Sequence, residues 1–279
     1  RSEGRDDRRR EPRCRSLRMP RPTALITGAS AGIGAEFARI FAAHGYDLVL
    51  VARREERLNA LREELAPTGA TVTIIAKNLA LQTAAKTLHK ELSARGVSVD
   101  VLVNNAGVAY SGAFAAMDAE DVSRMVLLNA ATLASLTRLL VTDMVARGSG
   151  RILNVSSLSA FQAVPVMALY AATKAFVLSF TEALAEELKG TGVTATALCP
   201  GPTATDMVQE VGRGLPEIPT FLQSDVKDVA KQGFDACMAG EIVRVPGIAN
   251  QLSALWSQTQ PRWFVRTLGG LVGRQLLKP

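Results

Sequence analysis

The sequence predicts an α/β chain, a single doubly wound domain whose mostly parallel seven-stranded sheet is flanked by helices, and three observations carry that expectation. From Thr23 onward, short β-branched or apolar runs alternate with longer amphipathic stretches, the pattern of strand–helix–strand units. Several of the short runs are apolar at nearly every position, as burial on both faces of a sheet requires. The first run leads straight into a glycine-rich loop and then a helix.

The strands fall, in order, at 23–27 (TALIT), 47–52 (DLVLVA), 71–76 (TVTIIA), 99–103 (VDVLV), 151–155 (RILNV), 193–198 (VTATAL) and 241–245 (EIVRV). Between them, helical stretches are expected near 33–44, 55–66, 81–95, 118–147, 166–189 and 225–239. No repeat or low-complexity tract interrupts the alternation. The domain therefore spans 20–247, preceded by a basic tail at 1–19 and followed by a helical appendage at 248–279.

The net charge of +6 suggests nucleic acid until it is located along the chain. Residues 1–22 carry nine arginines against four acids, and residues 244–279 carry five basic residues and no acid. The body between them is acidic, about −4, so no nucleic-acid face is expected there. Cys14, Cys199 and Cys237 lack paired spacing, and His44 and His89 lack partners at ligand spacing, so neither a disulfide framework nor a metal site is expected. A reducing cytoplasm is the natural setting. No unbroken apolar run approaches the ~20 residues of a membrane span, and the Arg-rich stretch before Met19 reads as disordered or upstream sequence, too acidic for a transit peptide.

The first strand runs into Thr27-Gly28-Ala29-Ser30-Ala31-Gly32-Ile33-Gly34 and a helix. Glycine lets the backbone turn and approach a pyrophosphate, and the N–H groups of the helix start favour its charge. In that context the loop points to a dinucleotide rather than a plain turn. An NAD-preferring site usually ends its second strand on Asp or Glu, whereas this one has Ala52 followed by Arg53 and Arg54. A guanidinium there binds a 2′-phosphate that an acid would repel. NADP(H) is therefore the expected cofactor, with Arg53 the stronger candidate; the alternative is that Arg53, Arg54 and Arg57 pair with Glu55 and Glu56 at a solvated helix start.

With these features, the sequence resembles the short-chain dehydrogenase/reductase family over about 22–247. TGxxxGxG is present as Gly28, Gly32 and Gly34, NNAG as Asn104 to Gly107, YxxxK as Tyr170 to Lys174, and a Pro-Gly pair as Pro200-Gly201. The resemblance implies a catalytic tyrosine at Tyr170, a lysine at Lys174, a serine at Ser157 thirteen residues before the tyrosine, and a helix-interrupting Asn129 holding a water connected to Lys174. The chemistry is consistent with those roles. Residues four apart in a helix share a face, so the Lys174 ammonium is expected to lower the Tyr170 phenol from ~10 toward working pH. Such a phenol can protonate a carbonyl oxygen as hydride arrives, while Ser157 positions that oxygen. Ser156 and Ser159 remain alternatives as turn residues.

The resemblance also implies cofactor contacts at Ser30, Ala31, Ile33, Asn105, Ala106, Thr203 and Thr205, with Lys174 bonding the nicotinamide ribose. Many relatives have Asp-Leu where this chain has Asn78-Leu79; an asparagine carbonyl can still accept the adenine amino group. Ala31 stands where some NADP-dependent relatives are basic, which leaves the discrimination largely to Arg53.

The loop 202–223 contains Met207, Val211, Leu215, Ile218 and Phe221, and Val108, Phe161, Val164, Val166 and Met167 join it. An apolar ketone, aldehyde or secondary alcohol is the expected substrate, although the same residues could simply cap the core. The segment from Trp256 to Lys278 mixes apolar and basic residues, and Gly269, Gly270 and Gly273 weaken a long helix. Packing or oligomer contact, as a homodimer or homotetramer, is preferred there to peripheral membrane contact. The rival functions are a non-catalytic NADP-binding regulator and a membrane-associated lipid or acyl-chain reductase. Replacing Arg53 with Asp is expected to raise the KM for NADPH well above that for NADH; constants left equal would overturn the assignment.

Overall fold

The computed structural model of the chain describes residues 21–203 and 223–267. The basic tail at 1–19, Thr205, most of the apolar loop after Thr203 and the end of the C-terminal segment lie outside them.

Seven strands form one sheet: β1 (Thr23–Thr27), β2 (Asp47–Ala52), β3 (Val72–Ala76), β4 (Val101–Asn104), β5 (Gly150–Val155), β6 (Val193–Leu198) and β7 (Val243–Arg244). Their spatial order is β3-β2-β1-β4-β5-β6-β7, and every neighbouring pair is parallel. The chain reverses direction across the sheet between β1 and β4. A crevice opens at the carboxyl ends of strands at such a point.

Alternate residues of each strand feed two apolar layers. Ile26, Leu48, Leu50 and Val103 pack under α1 (Gly32–Ala43), α2 (Glu55–Leu65) and α7 (Val226–Ala239), where Phe37, Phe41 and Phe234 fill the layer. Leu25, Val49, Leu102 and Ile152 face the other way, against α3 (Ala84–Ala94) and α5 (Leu133–Arg147). Phe41 meets Phe234 edge-on at 4.9 Å, and burying each such ring contributes ~2 kcal/mol. Leu178 of α6 (Ala168–Glu187) covers Ala197 and Cys199.

Two helices differ from the sequence expectation for local reasons. α3 begins at Ala84 rather than near 81, because the Asn78 side chain accepts the Ala80 N–H at 3.0 Å and holds the chain in a turn. The single helix expected at 118–147 is α4 (Ala119–Val126), a π-helical turn at Leu127–Thr132, and α5. This continuous helix, Ala119–Arg147, is the one described helix long and apolar enough to cross a membrane. Met125, Leu136 and Met144 on it are fully buried within the protein.

A chain of buried amides and hydroxyls ties the middle of the sheet to both helical layers. Asn104 donates to Thr137 Oγ1 of α5 at 3.0 Å and to Asn154 Oδ1 of β5 at 2.9 Å. Asn154 in turn donates to Thr181 Oγ1 of α6 at 2.9 Å, and Thr181 donates to Val177 O at 2.6 Å. The chain holds the ends of β4 and β5 in register directly below the crevice. Asn154→Ala opens a void and leaves an Asn104 donor unmatched, so it should destabilise the protein by about 3 kcal/mol. Urea unfolding monitored by circular dichroism tests this, and an unchanged midpoint would rule the network out as a structural tie.

Candidate active site

At the carboxyl end of β1 the backbone makes its turn through Gly28 (φ 67°) and Gly32 (φ 54°), a region L side chains rarely enter. Helix α1 starts without a side-chain cap and without an acid in its first turn, which leaves its leading N–H groups to an anion. A Cβ at Gly34 would lie 2.4 Å from Gly28 O, so helix and turn approach as closely as glycine alone permits. The loop is anchored from β4. Thr27 Oγ1 accepts the N–H groups of Asn105 (3.0 Å) and Ala106 (3.1 Å), and the Asn105 amide donates to the carbonyls of Thr27 (3.0 Å) and Gly28 (3.2 Å). Ser30, Ala31, Gly32 and Ile33 sit partly open along this turn, and the whole cradle fits the pyrophosphate of a dinucleotide.

Arg53 and Arg54 follow β2 with both side chains exposed. Arg54 Nη2 donates to Ser30 Oγ at 3.3 Å, which brings the second arginine, rather than Arg53, into contact with the glycine loop. Asn78 spends one lone pair on Ala80, while the buried Leu79 carbonyl accepts the Thr132 hydroxyl at 2.8 Å. Asn105, Ala106 and Gly107 line the opposite side as the continuation of β4.

The residues of the YxxxK pattern come together with Ser157 at the ends of β5 and α6. Ser157 lies close enough to the Tyr170 phenol to pull its acidity back toward the ordinary value. Its hydroxyl also lies 2.7 Å from Ser159 Oγ and accepts the Ser159 N–H at 3.2 Å. The sequence alternatives therefore separate: Ser156 turns away to donate to Lys174 O at 2.8 Å, and Ser159 supports Ser157. Lys174 is buried, with Nζ 5.7 Å from the Tyr170 ring centroid, and it donates to Val155 O at 2.8 Å.

Burial corrects the expected electrostatics. It raises the Tyr170 phenol above its ordinary value, partly offset by Ser157, whereas a neighbouring ammonium was expected to lower it. The same burial pulls Lys174 down to about 8. Loss of water shifts both groups toward their neutral forms, while Lys174 at about 8 still carries its proton for the most part at neutral pH. Cys199, packed beside them, is pushed up to about 12 by burial and stays a neutral thiol.

Asn129 sits in the π-helical turn, a feature that re-aims one side chain out of the helical register. Its Oδ1 accepts Val108 N–H at 2.9 Å, and its Nδ2 donates to Val108 O at 2.8 Å and to Thr173 Oγ1 at 3.2 Å. A Cβ on Gly107 would lie 3.2 Å from Asn129 Oδ1 and 3.6 Å from Lys174 Nζ, so the backbone of Gly107 runs between those two side chains. Pro200 O receives the Leu158 N–H at 2.8 Å, and Thr203 donates to Gly201 O at 2.9 Å. That pair closes the site on the β6 side.

Two contributors escaped the sequence reading. Thr173 supports Asn129, yet a threonine in a helix carries no signal of its own; the sequence shows Thr27 only as the start of the glycine loop, and its anchoring of β4 appears in the fold. Val166, four residues before Tyr170, has φ 63°, a strained setting for a β-branched residue, and its carbonyl accepts the Gly112 N–H at 2.8 Å. It pins the loop before α6 to the loop after β4. A cavity of about 520 Å³ lined by Asp100, Arg151, Lys189 and Gly192 lies at the opposite, amino-terminal edge of the strands and contains none of these residues.

Comparison with known proteins gives this arrangement a family. A family model described as short chain dehydrogenase matches residues 22–215. The very-long-chain 3-oxoacyl-CoA reductase of Bos taurus is 31% identical over 217 residues, covering 75% of this chain and 69% of that protein. Among solved structures, a short-chain dehydrogenase from Sphingobium yanoikuyae in complex with NADPH aligns with TM-score 0.77 at 34% identity, over 84% of this chain and 91% of the other. The bulky-bulky ketone specific alcohol dehydrogenase from Comamonas testosteroni aligns with TM-score 0.73 at 33% identity, over 90% of this chain and 93% of the other. Glycine cradle, Ser157, Tyr170 and Lys174 lie within the matched region, and the chain belongs to the short-chain dehydrogenase/reductase family of oxidoreductases.

Proposed function

We propose that the protein is an NADPH-dependent carbonyl reductase that converts an apolar, bulky ketone or aldehyde to its alcohol. The observation that carries the reading is the gathering of Ser157, Tyr170 and Lys174 at the crevice, with Lys174 Nζ 5.7 Å from the Tyr170 ring centroid. The cofactor preference rests on Arg53 and on Arg54 beside Ser30, where a guanidinium would take a 2′-phosphate. The ketone preference rests on the apolar character of the surrounding loops and on the activities carried in the names of the Comamonas and bovine relatives.

When bound, the reduced nicotinamide supplies the hydride that adds to the carbonyl carbon. Ser157 donates a hydrogen bond to the carbonyl oxygen and holds it against Tyr170. The Tyr170 O–H then passes its proton to that oxygen as negative charge develops there, so the C=O bond becomes an alcohol without a free alkoxide. Lys174 would hold the nicotinamide ribose and help restore the phenol proton, while Asn129, across Gly107 from it, would hold the backbone of Val108 beside that path. Thr203 orients the cofactor from the β6 side.

Two tests follow from these roles. Tyr170→Phe should lower NADPH oxidation with an apolar ketone by about 1,000-fold while leaving NADPH binding intact; a panel of ketones of graded size, read by NADPH absorbance, should favour the larger members. A panel giving no rate despite tight NADPH binding would indicate the non-catalytic alternative. Lys174 titrates near 8, and it is the protonated amine that can resupply the phenol, so reduction should be sustained below that pH and decline above it. A rate that stayed level through that region would take Lys174 out of the proton path.

A further inference from the structure

Helix α8 (Ile248–Thr259) is built inside out. Its inner face buries small residues, Ala254 and Ser257, while Ile248 (77% exposed), Leu252 (62%) and Leu255 (59%) project outward at one-turn spacings. The next helical stretch, 262–267, extends the same surface with Trp263 (62% exposed) and Phe264 (40%), and Phe264 contacts Trp256 edge-on at 6.2 Å. Helix α2 shows the usual arrangement in the same protein, burying Leu58, Leu61 and Leu65 and exposing its charges. A continuous exposed apolar surface of this kind marks an interaction site.

Charge selects the occupant. Arg262 and Arg266 flank the aromatic residues and are exposed, and from 244 to the end the chain has five basic residues and no acid. A two-fold contact between copies would set this basic patch against itself. An anionic surface would attract it, and the mixture of Leu, Ile and Trp with flanking arginine suits the boundary between headgroups and acyl chains. The helix that carries the patch also packs on the rim of the active site. α8 packs on the turn Leu158–Phe161 that follows Ser157, and a Cβ on Gly201 would meet the Asn250 side chain at 2.6 Å.

We propose that the outer face of α8 and residues 262–267 form a peripheral docking surface for an anionic lipid bilayer, placing the substrate entrance beside the membrane. This reading departs from the packing or oligomer contact expected from the sequence, and it does not depend on which carbonyl is reduced. The full chain should co-sediment at low salt with vesicles of phosphatidylcholine containing about a quarter phosphatidylglycerol, and much less with pure phosphatidylcholine. The protein's only two tryptophans, Trp256 and Trp263, lie on the patch, so the same vesicles should shift its intrinsic fluorescence to the blue. Arg262→Gln with Arg266→Gln should weaken binding about 25-fold, and Leu252→Ser with Leu255→Ser about tenfold or more, each with NADPH oxidation unchanged when lipid is absent. Failure of the parent chain to co-sediment at low salt would overturn the proposal, as would binding indifferent to lipid charge. So would an oligomer in lipid-free sedimentation that the double serine variant alone dissolves, which would assign the surface to a second copy.

Discussion

The closure between the carboxyl ends of β1 and β4 is the constraint on which the rest of the site depends. Thr27 and Asn105 reach across it and exchange four hydrogen bonds with the facing backbone, just where the parallel sheet changes winding direction. That junction fixes the glycine turn on one side and the path through Gly107 to Lys174 on the other. Below it, the Asn104–Asn154 pair keeps the two strand ends level. Buried amides of this kind stabilise only when fully paired, so the crevice holds one geometry.

Burial, more than charge pairing, sets the direction in which Tyr170 and Lys174 are shifted. A tyrosine and a lysine on one helical face suggest a simple exchange of influence, with the ammonium drawing the phenol toward ionisation. In the folded protein the buried amine donates to Val155 O, and burial acts on both groups. The phenol retains its proton and the lysine gives its proton up more readily. An acid of that kind suits protonation of a carbonyl oxygen, the direction in which a reductase works.

The outward apolar face of α8 belongs to the same economy of burial. Ala254 and Ser257 let the helix sit close against the turn after Ser157, and the large side chains are left to the outside. The helix covers the site rim on one face and, with residues 262–267, presents leucine, tryptophan and arginine on the other.

Periodicity and motif spacing determined the seven strands, the helices between them to within a few residues and the glycine turn, and the family resemblance, carried by short motifs, placed Ser157, Tyr170 and Lys174. These are consequences of neighbours close in sequence, since alternation, a 3.6-residue period and a fixed motif offset are all short-range properties. Tertiary structure decided the rest. The π-helical turn that aims Asn129, the left-handed Val166, the reach of Arg54 to Ser30 and the roles of Thr27 and Thr173 depend on partners 21 to 78 residues away for most of their bonds. The direction of the Tyr170 shift depended on burial, which no spacing reveals. The face that α8 turns outward was equally hidden, because composition shows that a segment is amphipathic but only packing shows which side the protein keeps.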